Sequence, residues 1–411
     1  MTRLSICAIV LGTFAASRGH AQGYASNLPV EHPSIRYPLG PVEDPVSRLA
    51  RALETGSRRL PYREGAGYLA GLLDALGISP DSQALVFSKT SFQASKISPR
   101  NPRAIYFNDD VAVGWVRGGD GMEIAGLDPK QGLIFYTLDT LAVPAPRIVR
   151  RQECLHCHQG PATLGVPGIF VGSVFPDVSG MPYRESAIIT DHSTAFADRW
   201  GGWYVNAARG QQRDRANAVA ADPAEPMTLA TDGNQNLRSL AARFDAAGYL
   251  SPLSDIVALM TFEHQTKMTN LLIRAGWEWR IKGETDVAPV ADYMLFGGEA
   301  LLREPVEGVS TFTQSFAQRG PRDRRGRGLR QFDLQTRLFR YPLSYMIYSP
   351  AFDALPQPVR DQLYRRLFDI LSGKEGAGRY PHLGKEARRA ILEIVRETKS
   401  GLPNYWRPSE D

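Results

Sequence analysis

The chain has 411 residues, 43% of them hydrophobic and 22% charged, with a formal net charge of +5. That is length for one large or two modest hydrophobic cores, and the charge bias is too weak for a nucleic-acid footprint. Three cysteines in so long a chain exclude a disulfide scaffold.

In chain order the first element is a secretory signal over residues 1–21. Met1-Thr2-Arg3 gives a short positive start, Leu4 to Ala16 an apolar run, and Gly19-His20-Ala21 a small-residue cleavage site. The run is too short to span a membrane, and no later stretch resembles a span. Cleavage would discard Cys7 and send the mature chain out of the cytoplasm, to the periplasm or beyond. Residues 22–60, rich in Pro and polar residues, read as a surface wrap. From 83 to 150 the texture is β. Ala84 to Phe87, Ala104 to Phe107, Val111 to Val116 and Leu133 to Leu138 are β-branched or aromatic runs. The turn signals Asn108-Asp109-Asp110, Gly118 to Gly121 and Asp128-Pro129 separate them, which suits an antiparallel meander.

Next come Cys154-Leu155-His156-Cys157-His158, the C-x-x-C-H attachment signature of haem c. Two cysteines three positions apart reach the two vinyl groups of one porphyrin, and the next residue then sits under the iron. His158 is thus the expected proximal iron ligand. A zinc site would need two further ligands, and no other cysteine survives in the mature chain. A thioredoxin-like dithiol would need a βαβ setting, which the flanking sequence lacks. Covalent haem attachment outside the cytoplasmic membrane agrees with the signal.

Beyond the motif, residues 159–190 read as a Gly/Pro-punctuated loop with one strand at Ala187 to Thr190, and residues 206–236 as irregular. The rest is helical. Ser251-Pro252 to Gly276, Pro358 to Ser372 and Lys385 to Lys399 carry apolar residues at helical spacing. The expected fold class is α+β: a β-rich region over 22–150, then the attachment loop and a helical region over 151–411, packed as one unit.

The sixth iron position separates an electron carrier from a haem enzyme with an open distal side. His264 leads the candidates, on an apolar helix stripe with Val257, Met260, Met268 and Leu271; Met268, one turn on, is the alternative thioether ligand. Met181 and His192 are lesser candidates. His32 and His382 read as structural or exposed, and His156 as pointing away. In Arg199 to Val205 (RWGGWYV), Trp200 and Trp203 flank a Gly-Gly step that would let indoles pack on a porphyrin face, with Arg199 available to a propionate. The Arg319 to Arg330 loop, with six arginines, reads either as a solvated surface or as a docking patch for an acidic redox partner.

The chain also resembles a large bacterial family of exported single-C-x-x-C-H proteins labelled cytochrome c domain-containing. The resemblance rests on Lys89 to Gln93 (KTSFQ), Ile97 to Asp109 (ISPRNPRAIYFND), Cys154 to His158, Val166-Pro167-Gly168, Thr190-Asp191-His192 and RWGGWYV. Glu263 to Thr266 (EHQT) and Tyr341 to Pro356 (YPLSYMIYSPAFDALP) complete the set. It implies a periplasmic, redox-active haem protein without an assigned substrate. Arg209 departs from the pattern, since many relatives carry histidine there, and no role tied to that histidine carries over.

Overall fold

The computed structural model describes residues 26–183, 188–374 and 378–407. The signal segment and its Cys7 lie outside the described residues.

The first helix, α1 (Pro45–Glu54), follows from its own residues. Asp44 Oδ1 accepts from the amides of Val46 and Ser47 at 2.8 and 3.0 Å, and Pro45 opens the first turn. Residues 22–60 were expected to wrap the surface. Instead α1 buries Val46, Leu49 and Leu53, whose helical spacing is hidden among charged neighbours. A short α2 (Leu69–Ala75) precedes the sheet.

Nine strands follow among the described residues: β1 (Ala84–Val86), β2 (Arg103–Phe107), β3 (Val111–Trp115), β4 (Gly121–Asp128), β5 (Gly132–Asp139), β6 (Ile148–Arg150), β7 (Val171–Ser173), β8 (Ile188–Thr190) and β9 (Trp203–Tyr204). Seven form one antiparallel sheet in the order β6-β5-β4-β3-β2-β1-β9; β7 and β8 pair separately. The class is α+β, and the meander spans 84–150. β4 falls between two expected strands, its alternation blurred by Gly121, Glu123 and Gly126.

Period-two alternation divides the sheet into two faces. One carries Tyr106, Val113, Ile124 and Tyr136 in register, all buried, and receives α1. Gly126 leaves room there: a Cβ would press on Val46 and Asp44. Tyr136 donates to Asp44 Oδ2 at 2.5 Å, so one carboxylate caps the helix and ties it to the sheet. The opposite face carries Phe107, Ala112, Ala125 and Phe135. It receives the attachment loop, with α3 (Leu155–His158), and the long α4 (Ile256–Lys282).

α4 is buried from Ile256 to Trp277 apart from Lys267 and Arg274, which makes it a core helix rather than an amphipathic one. It starts four residues later than expected, because Asp255 supplies the N-cap: Oδ1 accepts from Val257 at 2.7 Å, while Oδ2 holds the amides of Val309 and Ser310. Gly276 does not end it. It lies inside, facing Leu355, and Gly283 at φ 77° closes the helix. Around α4 pack α5 (Ala288–Met294), α6 (Phe312–Gln318), α7 (Pro350–Asp353), α8 (Gln357–Leu371) and α9 (Lys385–Thr398). The last two match the expected helices within a residue. Residues 206–236 hold no helix or strand. The buried apolar core is continuous from Leu28 to Trp406.

Candidate functional site

The C-x-x-C-H segment forms a single helical turn with no buried residue. The amides of Cys157 and His158 both bond to the Cys154 carbonyl, which brings the two sulfurs and the imidazole onto one short surface. Cys154 and Cys157 are free thiols, the first half-buried, the second exposed. Burial, with Glu153 and Glu123 nearby, pushes the Cys154 thiol up to about 11. A thiol held protonated is the reverse of the depressed pKa that a dithiol redox centre uses.

His158 is clamped. Its Nδ1 lies 3.0 Å from the Gly168 carbonyl, and its ring packs on Phe135 of β5 at 4.7 Å between centroids. Nδ1 must donate to a carbonyl, so the proton sits there and Nε2 is left as the coordinating nitrogen, the tautomer that metal-bound histidines adopt. Partial burial lowers the pKa of the half-buried His158, which favours the neutral ring. Gly168 is itself fixed: a Cβ there would collide with Asn270 of α4, whose Nδ2 donates to the Ile169 carbonyl at 2.9 Å. Among the described residues no group of three or more His, Cys, Asp or Glu could hold a bare metal ion. A porphyrin supplies four ligands to its iron and asks the chain for one or two. The thiols, their spacing and the free Nε2 fit haem c.

The other candidates gather elsewhere. His264 is fully buried, with Nδ1 2.8 Å from His192 Nδ1 and Nε2 2.7 Å from Ser344 Oγ. Both of its nitrogens are therefore engaged with the protein and neither is free for iron in this arrangement. His192 stacks on Tyr293 at 3.9 Å, and the Gly297 carbonyl lies beside its ring. His192 Nε2 is buried without a hydrogen-bond partner, and the histidine pair shares a single proton between the two Nδ1 atoms. Burial lowers His192 to about 3 and holds His264 well below its usual range, so both stay neutral. Met268 is wholly buried in the core, and Met181 is half-exposed in the turn anchored by Asp177. His382 bonds the Leu295 carbonyl and His32 the Ser34 amide.

The aromatic segment serves the protein's own backbone. Trp203 Nε1 donates to Gly172 at 2.7 Å, and Trp200 is buried at φ 67°, strained for a tryptophan. The glycines do permit close approach, as their spacing suggests, but to Val174 and Ser88. A Cβ at Gly201 would run into the Val174 carbonyl. Gly201→Ala is thus expected to cost at least about 1–3 kcal/mol in urea unfolding. Arg199 is committed to Glu263 at 3.2 Å and to the carbonyls of His192 and Thr194. Arg209 is buried against Asp214, Nε to Oδ2 2.8 Å, so its charge is met by a buried counter-charge.

The Arg319–Arg330 loop is largely neutralised. Arg327 pairs with Asp323 and Glu393, Arg325 with Glu393, Arg324 with Glu397, and Arg330 with Asp109 while lying 4.3 Å over Tyr345. Among the described residues no helix is long and apolar enough to cross a membrane. Comparison with protein-family models, curated proteins and solved structures returns no match for this chain.

Proposed function

We propose that this is an exported monohaem c-type cytochrome-like protein that transfers electrons through a haem bound at Cys154 and Cys157. The observation that carries the reading is the His158 clamp: Nδ1 bonded to Gly168, Nε2 free, on the same turn as two unpaired thiols. When bound, the haem supplies a one-electron couple at its iron. The chain's part is to hold the ring of His158 neutral and oriented, through Phe135, Gly168 and Asn270. The exported location rests on residues 1–21, and membership of the single-C-x-x-C-H family on the shared motifs.

A second reading, a haem enzyme with an open distal side, is favoured by the placement of the ligand candidates. His264, His192 and Met268 are built into the core, and both His264 nitrogens are already bonded.

An absorbance spectrum of the reduced, haem-loaded protein decides between them. A low-spin spectrum unmoved by carbon monoxide supports the carrier, and rapid carbon monoxide binding supports the enzyme. Intact mass of the exported protein should place its N-terminus at Gln22. A cytoplasmic product that keeps Met1 and lacks haem overturns both.

A further inference from the structure

His158 and Gly168 bond to each other twice. The imidazole Nδ1 meets the Gly168 carbonyl at 3.0 Å, and the Gly168 amide returns to the His158 carbonyl at 2.9 Å. The imidazole is therefore fixed only as well as the Gly168 peptide is fixed, and two buried side chains hold that peptide. Thr163 Oγ1 donates to the Val166 carbonyl at 2.8 Å, and a Cβ on Gly168 would press on Thr163 Cβ at 2.9 Å. From α4, Asn270 Nδ2 donates to the Ile169 carbonyl at 2.9 Å, and the same Cβ would strike Asn270 Oδ1. Only a hydrogen fits between the two side chains. One turn further along α4, Arg274 donates to the Leu164 carbonyl, so the helix grips the segment on both sides of Val166-Pro167-Gly168.

For stability alone, asparagine is a poor choice at this position. Its Oδ1 is buried and accepts no hydrogen bond, a penalty that a leucine of similar size would avoid. What the amide does is aim one backbone segment, the one whose carbonyl takes the His158 proton. A hydrogen bond to the far nitrogen of a ligating histidine fixes the ring and raises the basicity of the coordinating nitrogen. Such bonds are among the means by which a protein tunes its haem iron.

We propose that Asn270 is a positioning residue that sets the reduction potential of the haem, acting from α4 through the Gly168 carbonyl on His158. The inference rests on haem attachment at Cys154 and Cys157. A firm bond from Nδ1 leaves Nε2 more basic, which favours ferric iron; loosening that bond favours ferrous iron and raises the potential. On the haem-loaded protein, Asn270→Ala should keep haem through denaturing electrophoresis and raise the reduction potential. It should also rearrange the haem-methyl proton shifts of the ferric protein, which report the angle of the imidazole over the porphyrin. Leu259→Ala, equally buried and about 16 Å back along α4, should lower stability in urea and move neither reading. A merely structural role would make the two variants alike. An unchanged or lowered potential in Asn270→Ala, or equal shifts in Leu259→Ala, overturns the role of Asn270 while leaving attachment intact. Should Asn270→Ala not fold, Thr163→Val decides. It keeps the shape of the side chain and removes only its hydroxyl bonds, and it should raise the potential; a wild-type potential there overturns the inference. A wild-type protein without covalent haem overturns both readings.

Discussion

Replacing Cys154 and Cys157 together by alanine is expected to abolish all haem that survives denaturing electrophoresis. Protein matured with a working cytochrome c assembly system should be red, and its haem should stay with the chain after unfolding, because thioether bonds, unlike coordination bonds, do not release when the fold is lost. The double variant should still fold. Cys157 is exposed, Cys154 is half-buried, and neither bonds to the other, so the stability cost should stay near the roughly 1 kcal/mol of an ordinary partly buried substitution. His158→Ala separates the two functions of the motif: it should keep denaturation-resistant haem while losing the proximal ligand, and so change the spectrum. Denaturation-resistant haem in the double variant overturns the attachment reading, as does a His158→Ala spectrum identical to wild type.

What the sequence made legible follows the range of the interactions involved. The attachment motif is local: five consecutive residues determine the spacing of two sulfurs and one imidazole, and the structure needs only one helical turn to present them. The late helices were legible for the same reason, from their own apolar spacing and a stopping glycine. The setting of His158 was not. Its clamp is a backbone carbonyl ten residues on, held by Asn270 from a distant helix, and no pattern in the chain announces such a pairing. Glu123 and two glycines break the alternation of β4 and hide it from a period-two reading; Glu123 lies on the face beside the motif, and Gly126 on the face that receives α1. His264 shows the opposite case. Its apolar stripe correctly implied burial, but periodicity cannot say whether a buried histidine meets iron or another histidine. Only the approach of residues 192 and 344 shows that both nitrogens are taken.

Arg199→Leu should be among the most destabilising single substitutions in the chain, and its cost should grow with pH. The Arg199–Glu263 pair is almost wholly buried, at 3.2 Å. Removing one partner of such a pair leaves an uncompensated charge, typically about 3–5 kcal/mol. Burial raises the Glu263 pKa to about 7 even with Arg199, foremost among the groups opposing the shift, still present. A folded pKa above the unfolded one means that the folded state keeps a proton the unfolded chain has lost. This contribution is therefore fully present at low pH and is lost as pH rises through the window up to about 7. Without Arg199 the folded pKa climbs further and the window widens upward, so the variant should be hurt least near pH 5 and most near pH 8. The buried histidines act in the other direction: His192, lowered to about 3, costs stability as pH falls below its unfolded value. Wild type thus carries opposing slopes. Subtracting its urea unfolding free energy from the variant's at each pH cancels most of the histidine contribution and isolates Glu263. Glu263→Gln in the Arg199→Leu background removes the carboxylate and should recover much of the loss at pH 8 but little at pH 5. A penalty that is flat from pH 5 to pH 8, or a double variant no more stable than the single one, would show that the buried charge is not what Arg199 is there to hold.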